Sequence, residues 1–182
     1  MVNESPTAIV ALNNNTILVG TTVDAGTGGE KKAEECSLFA FERKTRKLLW
    51  SVKPFSKCQT ISDLMLLDDG TVLGVLDGIT LFVFDSAKHT VLRQQTINAK
   101  CGTAVRVQGT RSLFQYGRDT MLVTSKGVAK LDLKTLAVKR FAIVPMGISN
   151  GGAVFNEHLY FSYASHLYSI DLNRSAIFET VK

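Results

Sequence analysis

The chain has 182 residues, of which 45% are hydrophobic, 20% are charged and three are proline. This composition excludes a disordered or collagen-like chain, because enough apolar surface is available to build a core. The 21 Lys and Arg residues against 16 Asp and Glu residues give a net charge of +5, which is too modest to identify a polyanionic partner.

Four units of the chain repeat one pattern, in which an apolar strand ends in an acidic residue and a polar turn leads to another strand. A second hairpin, with a turn rich in Asn, Asp and Gly, precedes each of these. The predicted strands are 8–12, 16–20, 37–42 and 47–52 in the first unit, 64–67, 71–75 and 80–85 in the second, 112–116, 120–124, 127–132 and 136–141 in the third, and 153–155, 159–163 and 166–171 in the fourth. A further strand is expected after the polar turns of the second and fourth units.

Four units of four short antiparallel strands predict an all-β protein, and units of about 40 to 50 residues are typical of β-propeller blades. The blades are expected at approximately 6–54, 55–98, 99–143 and 144–182, either as a single domain over 1–182 or as a segment of a larger propeller. The residues expected to pack within and between blades are Phe39, Phe41, Leu81, Phe82, Phe84, Val128, Leu131, Leu167, Tyr168 and Ile170.

Two segments carry a resemblance to known propeller families. Residues 37–50, SLFAFERKTRKLLW, resemble the blade motif of the quinoprotein-like propellers, with Arg46 where that family usually has glycine. Residues 69–85 are similar to the second half of a Trp-Asp repeat, with Phe84 where the tryptophan would stand. The resemblance implies a propeller fold over essentially the whole chain, whereas blade motifs specify packing rather than activity.

The tetrapeptide Lys-Cys-x-Thr recurs at 57–60 and 100–103, and the equivalent position of the fourth unit is near Met146. In a propeller these stretches would enter the innermost strand of a blade and face the mouth of the central channel. Thiol chemistry or soft-metal binding is one interpretation, and burial of small cysteines between blades is the simpler one. The candidate ligand-binding residues are Lys57, Cys58, Thr60, Lys100, Cys101, Thr103 and Met146.

Basic residues concentrate in and beside the turns between the third and fourth strands of the units. The candidate interaction rim consists of Arg43, Lys44, Arg46, Lys47, Lys88, Lys134 and Arg140. Such a rim can meet an acidic protein or a polyanion, or it can be a solvated surface that blunts the outer edge strands. Nucleic acid is not expected as a partner, because few aromatic residues interleave with the basic ones to stack bases.

No motif predicts catalysis or a resident cofactor. The three histidines lack the spacing of metal ligands, and no Gly-x-Ser-x-Gly nucleophile motif occurs. The stretch 26–31, GTGGEK, lacks the lysine spacing and the following helix of a phosphate-binding loop, so the segment 23–35 is expected to be a surface loop. We therefore predict no catalytic residue, no metal site and no cofactor.

The compartment is inferred from three cysteines and from the N-terminus. Cys36, Cys58 and Cys101 are too few and odd in number for a disulfide framework, so reduced thiols are expected. Residues 1–15 lack the features of a secretory signal peptide, and no apolar run is long enough to span a membrane. The sequence thus favours the cytoplasm and predicts no membrane partner.

The leading functional hypothesis is a non-catalytic β-propeller scaffold for protein–protein or ligand binding. The alternative is an enzyme or sensor, quinone- or metal-dependent, with its site at the mouth of the channel. The expected partner is another protein or further propeller blades, supplied by a longer chain or by a second copy. Four blades that do not close would leave apolar faces around 9–18 and 159–170 open to water, and such patches drive association.

Overall fold

The computed structural model describes residues 4–26, 29–30, 33–105, 111–173 and 178–180. Within these residues the chain forms four antiparallel sheets of four strands each, and in every sheet the strands are hydrogen-bonded in chain order. These four meanders are β-propeller blades, so the predicted all-β propeller fold class is confirmed.

The first sheet contains β1 (Ser5–Ala11), β2 (Thr16–Thr22), β3 (Leu38–Glu42) and β4 (Leu48–Val52). The second contains β5 (Ile61–Leu66), β6 (Val72–Leu76), β7 (Thr80–Asp85) and β8 (Thr90–Thr96). The third contains β9 (Leu113–Tyr116), β10 (Asp119–Thr124), β11 (Gly127–Leu131) and β12 (Val138–Ile143), preceded by a short 3-10 helix at Ala99–Cys101. The fourth contains β13 (Asn150–Phe155), β14 (His158–Tyr163), β15 (His166–Asp171) and β16 (Phe178–Thr180).

The predicted strands agree with these bounds to within a few residues, and β7 and β15 agree at both ends. The larger differences have local causes. β2 continues to Thr22 because this residue pairs with Ser5 and forms an isolated bridge with Thr60. β13 begins at Asn150, ahead of its glycines, where a Cβ added to Gly152 would lie 3.0 Å from Val123 Cγ2. Glycine at this position allows close packing against Val123. Because glycine has a low strand propensity, the sequence predicts that the strand begins only after it.

The chain divides into two compact units, residues 1–94 with the first two sheets and residues 95–182 with the last two. In the first unit, Leu18 and Leu38 of the first sheet belong to the same buried cluster as Phe82 and Phe84 of the second. The Phe82 ring lies over Gly74, where an added Cβ would stand 2.1 Å from Phe82 Cζ. The Phe82 side chain of β7 therefore occupies the space that Gly74 leaves open on β6.

The second unit has its own apolar cluster, to which Met121 and Val123 of the third sheet and Leu159, Phe161 and Ile170 of the fourth contribute. Phe161 stacks on the neighbouring Tyr168 ring, with 5.6 Å between the ring centroids. That residues 1–182 form a single propeller domain, or a segment of a larger propeller, stays a prediction.

The predicted packing residues are buried with three exceptions. Phe41 and Tyr168 are half-buried. Leu167 is 49% exposed, and the expectation that it packs in the core is wrong. Its cross-strand partner is Ser162, one position beyond the pair of buried Phe161 and half-buried Tyr168, so alternation along the strand turns Leu167 to the opposite face of the sheet.

No helix in the described part of the chain is long and apolar enough to cross a lipid bilayer.

Candidate functional site

The first Lys-Cys-x-Thr stretch is fixed to the turn between β6 and β7. The backbone amides of Gln59 and Thr60 donate to Asp77 Oδ1 at 3.0 and 2.8 Å, and the Asp77 amide donates back to Thr60 O at 2.8 Å. The Thr60 hydroxyl also meets the Thr22 hydroxyl at 2.8 Å. The threonine of the motif therefore joins the first sheet to the second.

The threonine of the second Lys-Cys-x-Thr stretch makes corresponding backbone bonds in the other unit, where Ser125 of the turn between β10 and β11 takes the place of Asp77. The Thr103 amide donates to Ser125 Oγ at 3.1 Å, and the Ser125 amide donates to Thr103 O at 2.7 Å. The Ile148 amide donates to Ser125 O at 3.2 Å, which brings the segment around Met146 to the same turn. Three of the predicted ligand-binding residues, Cys101, Thr103 and Met146, thus lie close to one turn of the second unit.

The two cysteines of these stretches differ, which corrects the expectation of reduced thiols. Cys58 forms a disulfide with Cys36, with 5.5 Å between their Cα atoms, a separation typical of disulfides. The Cys36 amide also donates to Cys58 O at 3.0 Å. The bond ties the end of the 23–35 segment to the connection between β4 and β5. The odd number of cysteines does not predict this pair, because disulfide formation depends on the distance between two cysteines in the fold rather than on their spacing in the sequence.

Cys101 is a free thiol that is buried at the end of the 3-10 helix. Its Sγ lies 3.9 Å from Val138 O. Lys57 and Lys100 are exposed, whereas Cys58 and Thr60 are buried. The feature that both Lys-Cys-x-Thr stretches share is the hydrogen bonding of the threonine backbone. A role of the seven candidate ligand-binding residues in ligand binding stays a prediction. Among the described residues, no group of three His, Cys, Asp or Glu side chains is arranged to hold a metal ion.

The turn between β3 and β4 presents the longest exposed basic stretch described in the first unit, with every residue from Arg43 to Leu49 exposed. The turn is closed by the Arg46 amide donating to Glu42 O at 2.8 Å and by the Glu42 amide donating to Lys47 O at 2.9 Å. Arg46 has a φ of 58°. This left-handed conformation explains why the quinoprotein-like motif has glycine at the position.

The Glu42 side chain stabilises this turn through hydrogen bonds. Its carboxylate accepts hydrogen bonds from the Thr45 hydroxyl and from Asn15 Nδ2. These two contacts, Thr45 first, hold the pKa of the Glu42 carboxyl below its ordinary value, although partial desolvation acts in the other direction. The Arg43 amide donates to Asn15 O at 2.7 Å, so the β1–β2 turn and the β3–β4 turn are joined side by side.

Two cavities flank this pair of turns. One, of about 450 Å³, is lined by Phe39, Phe41, Arg43, Arg46 and Leu48. The other, of about 480 Å³, is lined by Ala11, Asn13, Asn14, Asn15, Ile17, Arg43 and Lys44. Arg43 belongs to both. The first has a largely aromatic and aliphatic wall, whereas the second has an amide-rich wall.

Both cavities open on the face of the first sheet that points away from the second sheet. Cross-strand pairing places Ile9, Val19 and Phe39 in one row of that face and Ile17, Phe41 and Leu48 in the next. Val19 and Phe39 are buried, but Ile9 and Leu48 are 58% and 57% exposed. An apolar face with basic residues at its edge is therefore accessible on the first sheet.

The other predicted rim residues lie at corresponding places in other sheets. Lys88 and Lys134 occupy the β7–β8 and β11–β12 turns, and Arg140 lies on β12. Lys88 Nζ is 3.2 Å from Asp85 Oδ2 and is partly neutralised by it. The sequence therefore located the basic turns correctly, but it missed Asn13 to Asn15 and the Phe39 wall as cavity-lining residues. The signal for the former was the run of three asparagines, which the structure shows as an Asn-capped turn with Asn13 Oδ1 accepting from the Asn15 and Thr16 amides.

Protonation of Glu42 is expected to weaken the basic turn. Because the folded-state pKa is depressed, the carboxylate stabilises the fold above the ordinary value of 4.5, and this contribution is lost as the pH falls through the folded-state pKa. We expect Glu42→Gln to reduce the loss of thermal stability below pH 4.5, as measured by melting temperature in a pH series. Thr45→Ala should make this pH-dependent loss smaller and complete it at a higher pH, because it removes the largest cause of the lowered pKa of Glu42. An identical pH dependence in all three proteins would contradict this role of Glu42.

Comparison with solved structures supports the propeller assignment. The chain is similar to BamB from Moraxella catarrhalis, with a TM-score of 0.57 and 18% identity over 93% of this chain and 51% of that chain. It is also similar to the RRP9 WD40 repeats, with a TM-score of 0.62 and 11% identity over 97% of this chain and 51% of that chain. A KlHsv2 variant in which a Gly-Ser linker replaces loop 6CD matches with a TM-score of 0.50 and 11% identity over 93% of this chain and 50% of that chain.

These matches confirm the resemblance to quinoprotein-like and WD40 propellers at the level of fold. No protein-family model matches the sequence, and no curated protein matches it. The chain spans about half the length of the solved structures it matches, so its four blades correspond to part of a propeller of that size.

Proposed function

We propose that this chain is a non-catalytic β-propeller scaffold that binds another protein, with the exposed face of the first sheet as a principal binding surface. The observation that carries the proposal is the combination of exposed Ile9 and Leu48 with the adjacent basic turn at 43–47, whose cations form no ion pair with any residue that the structure describes. Large exposed apolar side chains rimmed by polar ones are typical of interaction surfaces. The propeller fold of the neighbouring structures supports the same coarse role, because rigid blades hold such a surface in one shape.

We further propose that additional blades, from a longer chain or from a second copy, complete the propeller. The fourth sheet supports this idea, because Phe155 and Leu167 are 65% and 49% exposed on its strands. Exposed apolar groups on the last sheet are what a part of a larger propeller would present to the next blade, whereas the exposed face of the first sheet is the proposed protein-binding surface.

The alternative of a quinone- or metal-dependent enzyme or sensor with its site at the channel mouth loses one of its candidate groups. Cys58 is held in the disulfide, so it offers neither a nucleophilic thiolate nor a soft metal ligand while the bond is intact. The same bond removes the unpaired-cysteine argument for the cytoplasm, and an oxidising compartment fits it better.

Light scattering of the purified chain tests the proposed function. We expect either a mass of twice 19.9 kDa or a monomer that binds an apolar fluorescent dye at its open faces. The double variant Ile9→Ser with Leu48→Ser should reduce the dye signal, whereas Leu92→Ser, at a side chain 47% exposed on β8, should not. A 19.9 kDa monomer that binds no dye would contradict the proposal.

A further inference from the structure

We propose that the first-sheet surface, defined as Phe39, Phe41, Arg43, Lys44, Arg46, Lys47 and Leu48, binds an acidic peptide segment that carries apolar anchor side chains. This inference rests on the proposed function as a protein-binding scaffold and names the chemistry of the partner. Two independent features of the surface support it, namely its uncompensated positive charge and its apolar cavity.

The positive charge of the surface is available to a partner. Arg43, Lys44, Arg46 and Lys47 are exposed, and none of them forms an ion pair with a residue that the structure describes. The nearest carboxylate in sequence, Glu42, is engaged by Thr45 and Asn15. In the corresponding turn of the second sheet, by contrast, Asp85 compensates Lys88 at 3.2 Å. Among the residues that the structure describes, the first sheet thus carries four cations without an ion-pair partner in the turn 43–47, against the single carboxylate of Glu42, and this excess of positive charge attracts carboxylates and steers their approach.

The cavity of about 450 Å³ lies directly under two of these cations. Phe39, Phe41 and Leu48 form its apolar wall, and the Arg43 and Arg46 side chains line its edge. A cavity of this kind accepts an aromatic or leucine side chain, and the arginines are placed to meet carboxylates that flank such an anchor. The cavity lined by Asn13 to Asn15 and Lys44 continues the surface on the other side of Arg43.

The same surface suits a peptide better than a nucleic acid or a sulfated polysaccharide. Leu48 is 57% exposed, and a partner made of phosphates or sulfates would leave it in water. An acidic peptide with aromatic or leucine residues satisfies both the charges and the apolar wall.

The surface is also rigid, which lowers the cost of binding. The backbone of the turn is fixed by the Arg46-to-Glu42 and Glu42-to-Lys47 hydrogen bonds at 2.8 and 2.9 Å. The Arg43-to-Asn15 bond at 2.7 Å fixes the two turns to each other. The positions of the cations relative to the cavity are therefore set before a partner arrives.

The test is an NMR titration of the isotope-labelled chain with synthetic peptides at low salt. The probe is a short peptide of glutamates around one phenylalanine and one leucine. Its matched controls are the same peptide with serine in place of both anchors, a lysine-for-glutamate version, and a heparin oligosaccharide. We expect the probe to shift resonances of Phe41, Arg43 and Leu48, with binding at least about tenfold weaker for the serine peptide and no binding of the lysine peptide.

Two charge-reversal variants then locate the site. Arg43→Glu with Arg46→Glu should weaken the probe about tenfold or more, whereas Lys88→Glu with Lys134→Glu, which changes the net charge equally, should not. Leu48→Ser, at an exposed position, should weaken the probe without unfolding the chain.

Equal weakening by both charge-reversal pairs, or equal binding of the serine peptide, would overturn the proposal in favour of general electrostatic attraction. Tighter binding of heparin than of the probe would assign the surface to polyanions instead. Absence of probe binding from a chain that still dimerises or binds apolar dye would refute the acidic-peptide inference and leave the scaffold function standing. Absence of probe binding, of dimerisation and of dye binding together would refute both the acidic-peptide inference and the scaffold function.

Discussion

Truncation of Phe84 to alanine is expected to lower the free energy of unfolding by about 3–5 kcal/mol. The Phe84 ring is fully buried in the cluster of the first unit, and its centroid lies 6.1 Å from that of Trp50 on β4. Its removal would leave a cavity between the first and second sheets that rigid strands cannot close. Chemical denaturation measures the loss.

Phe155→Ala is the matched control for this experiment, because the Phe155 side chain is 65% exposed on β13. We expect its effect to stay within about 0.5 kcal/mol. An unchanged melting temperature for Phe84→Ala would mean that the assignment of β7 as a core strand is wrong.

Removal of the disulfide by the double substitution Cys36→Ala with Cys58→Ala is expected to cost about 3 kcal/mol. The bond closes a loop with a sequence separation of 22, and most of its effect comes from restricting the unfolded chain. Denaturation of the variant and of the wild type, each with and without reductant, measures it. Reductant should destabilise the wild type and leave the variant unchanged.

Mass spectrometry of the alkylated, unreduced chain identifies the bond itself. We expect one alkylated cysteine, Cys101, and a linked pair of peptides that contain Cys36 and Cys58. Three alkylated cysteines, or a bond to Cys101, would contradict this pairing.

The strands could be predicted from the sequence because their signals are local. Apolar alternation and turns such as Asp68-Asp-Gly70 specify a hairpin within a dozen residues. The repeat of acidic strand ends then indicated four similar sheets. The error at Leu167 arose at the next level, because alternation shows that two faces differ but does not show which face meets a neighbouring sheet.

The candidate site was harder to predict because its parts are distant in sequence. The basic turn at Arg43 to Lys47 is visible in the sequence, whereas its junction with Asn15 depends on the pairing of β2 with β3. The recurrence of Lys-Cys-x-Thr pointed to the cysteines, but the feature that the two copies share in the structure is the threonine backbone pairing to Asp77 and to Ser125. The disulfide between Cys36 and Cys58 could not be predicted, because the spacing of cysteines in the sequence does not give the distance between them in the fold.

We expect the face of the first sheet that points away from the second sheet to be an open binding surface in the isolated chain. Hydroxyl-radical footprinting read by mass spectrometry measures this, since it reports the exposure of individual side chains. At high dilution we expect strong oxidation of Ile9 and Leu48, which are 58% and 57% exposed, and little oxidation of Leu18, which is fully buried. Protection of Ile9 and Leu48 should appear when a binding partner is supplied. Protection of these side chains at high dilution to the same degree as Leu18 would show that the chain itself covers the face and would contradict the claim.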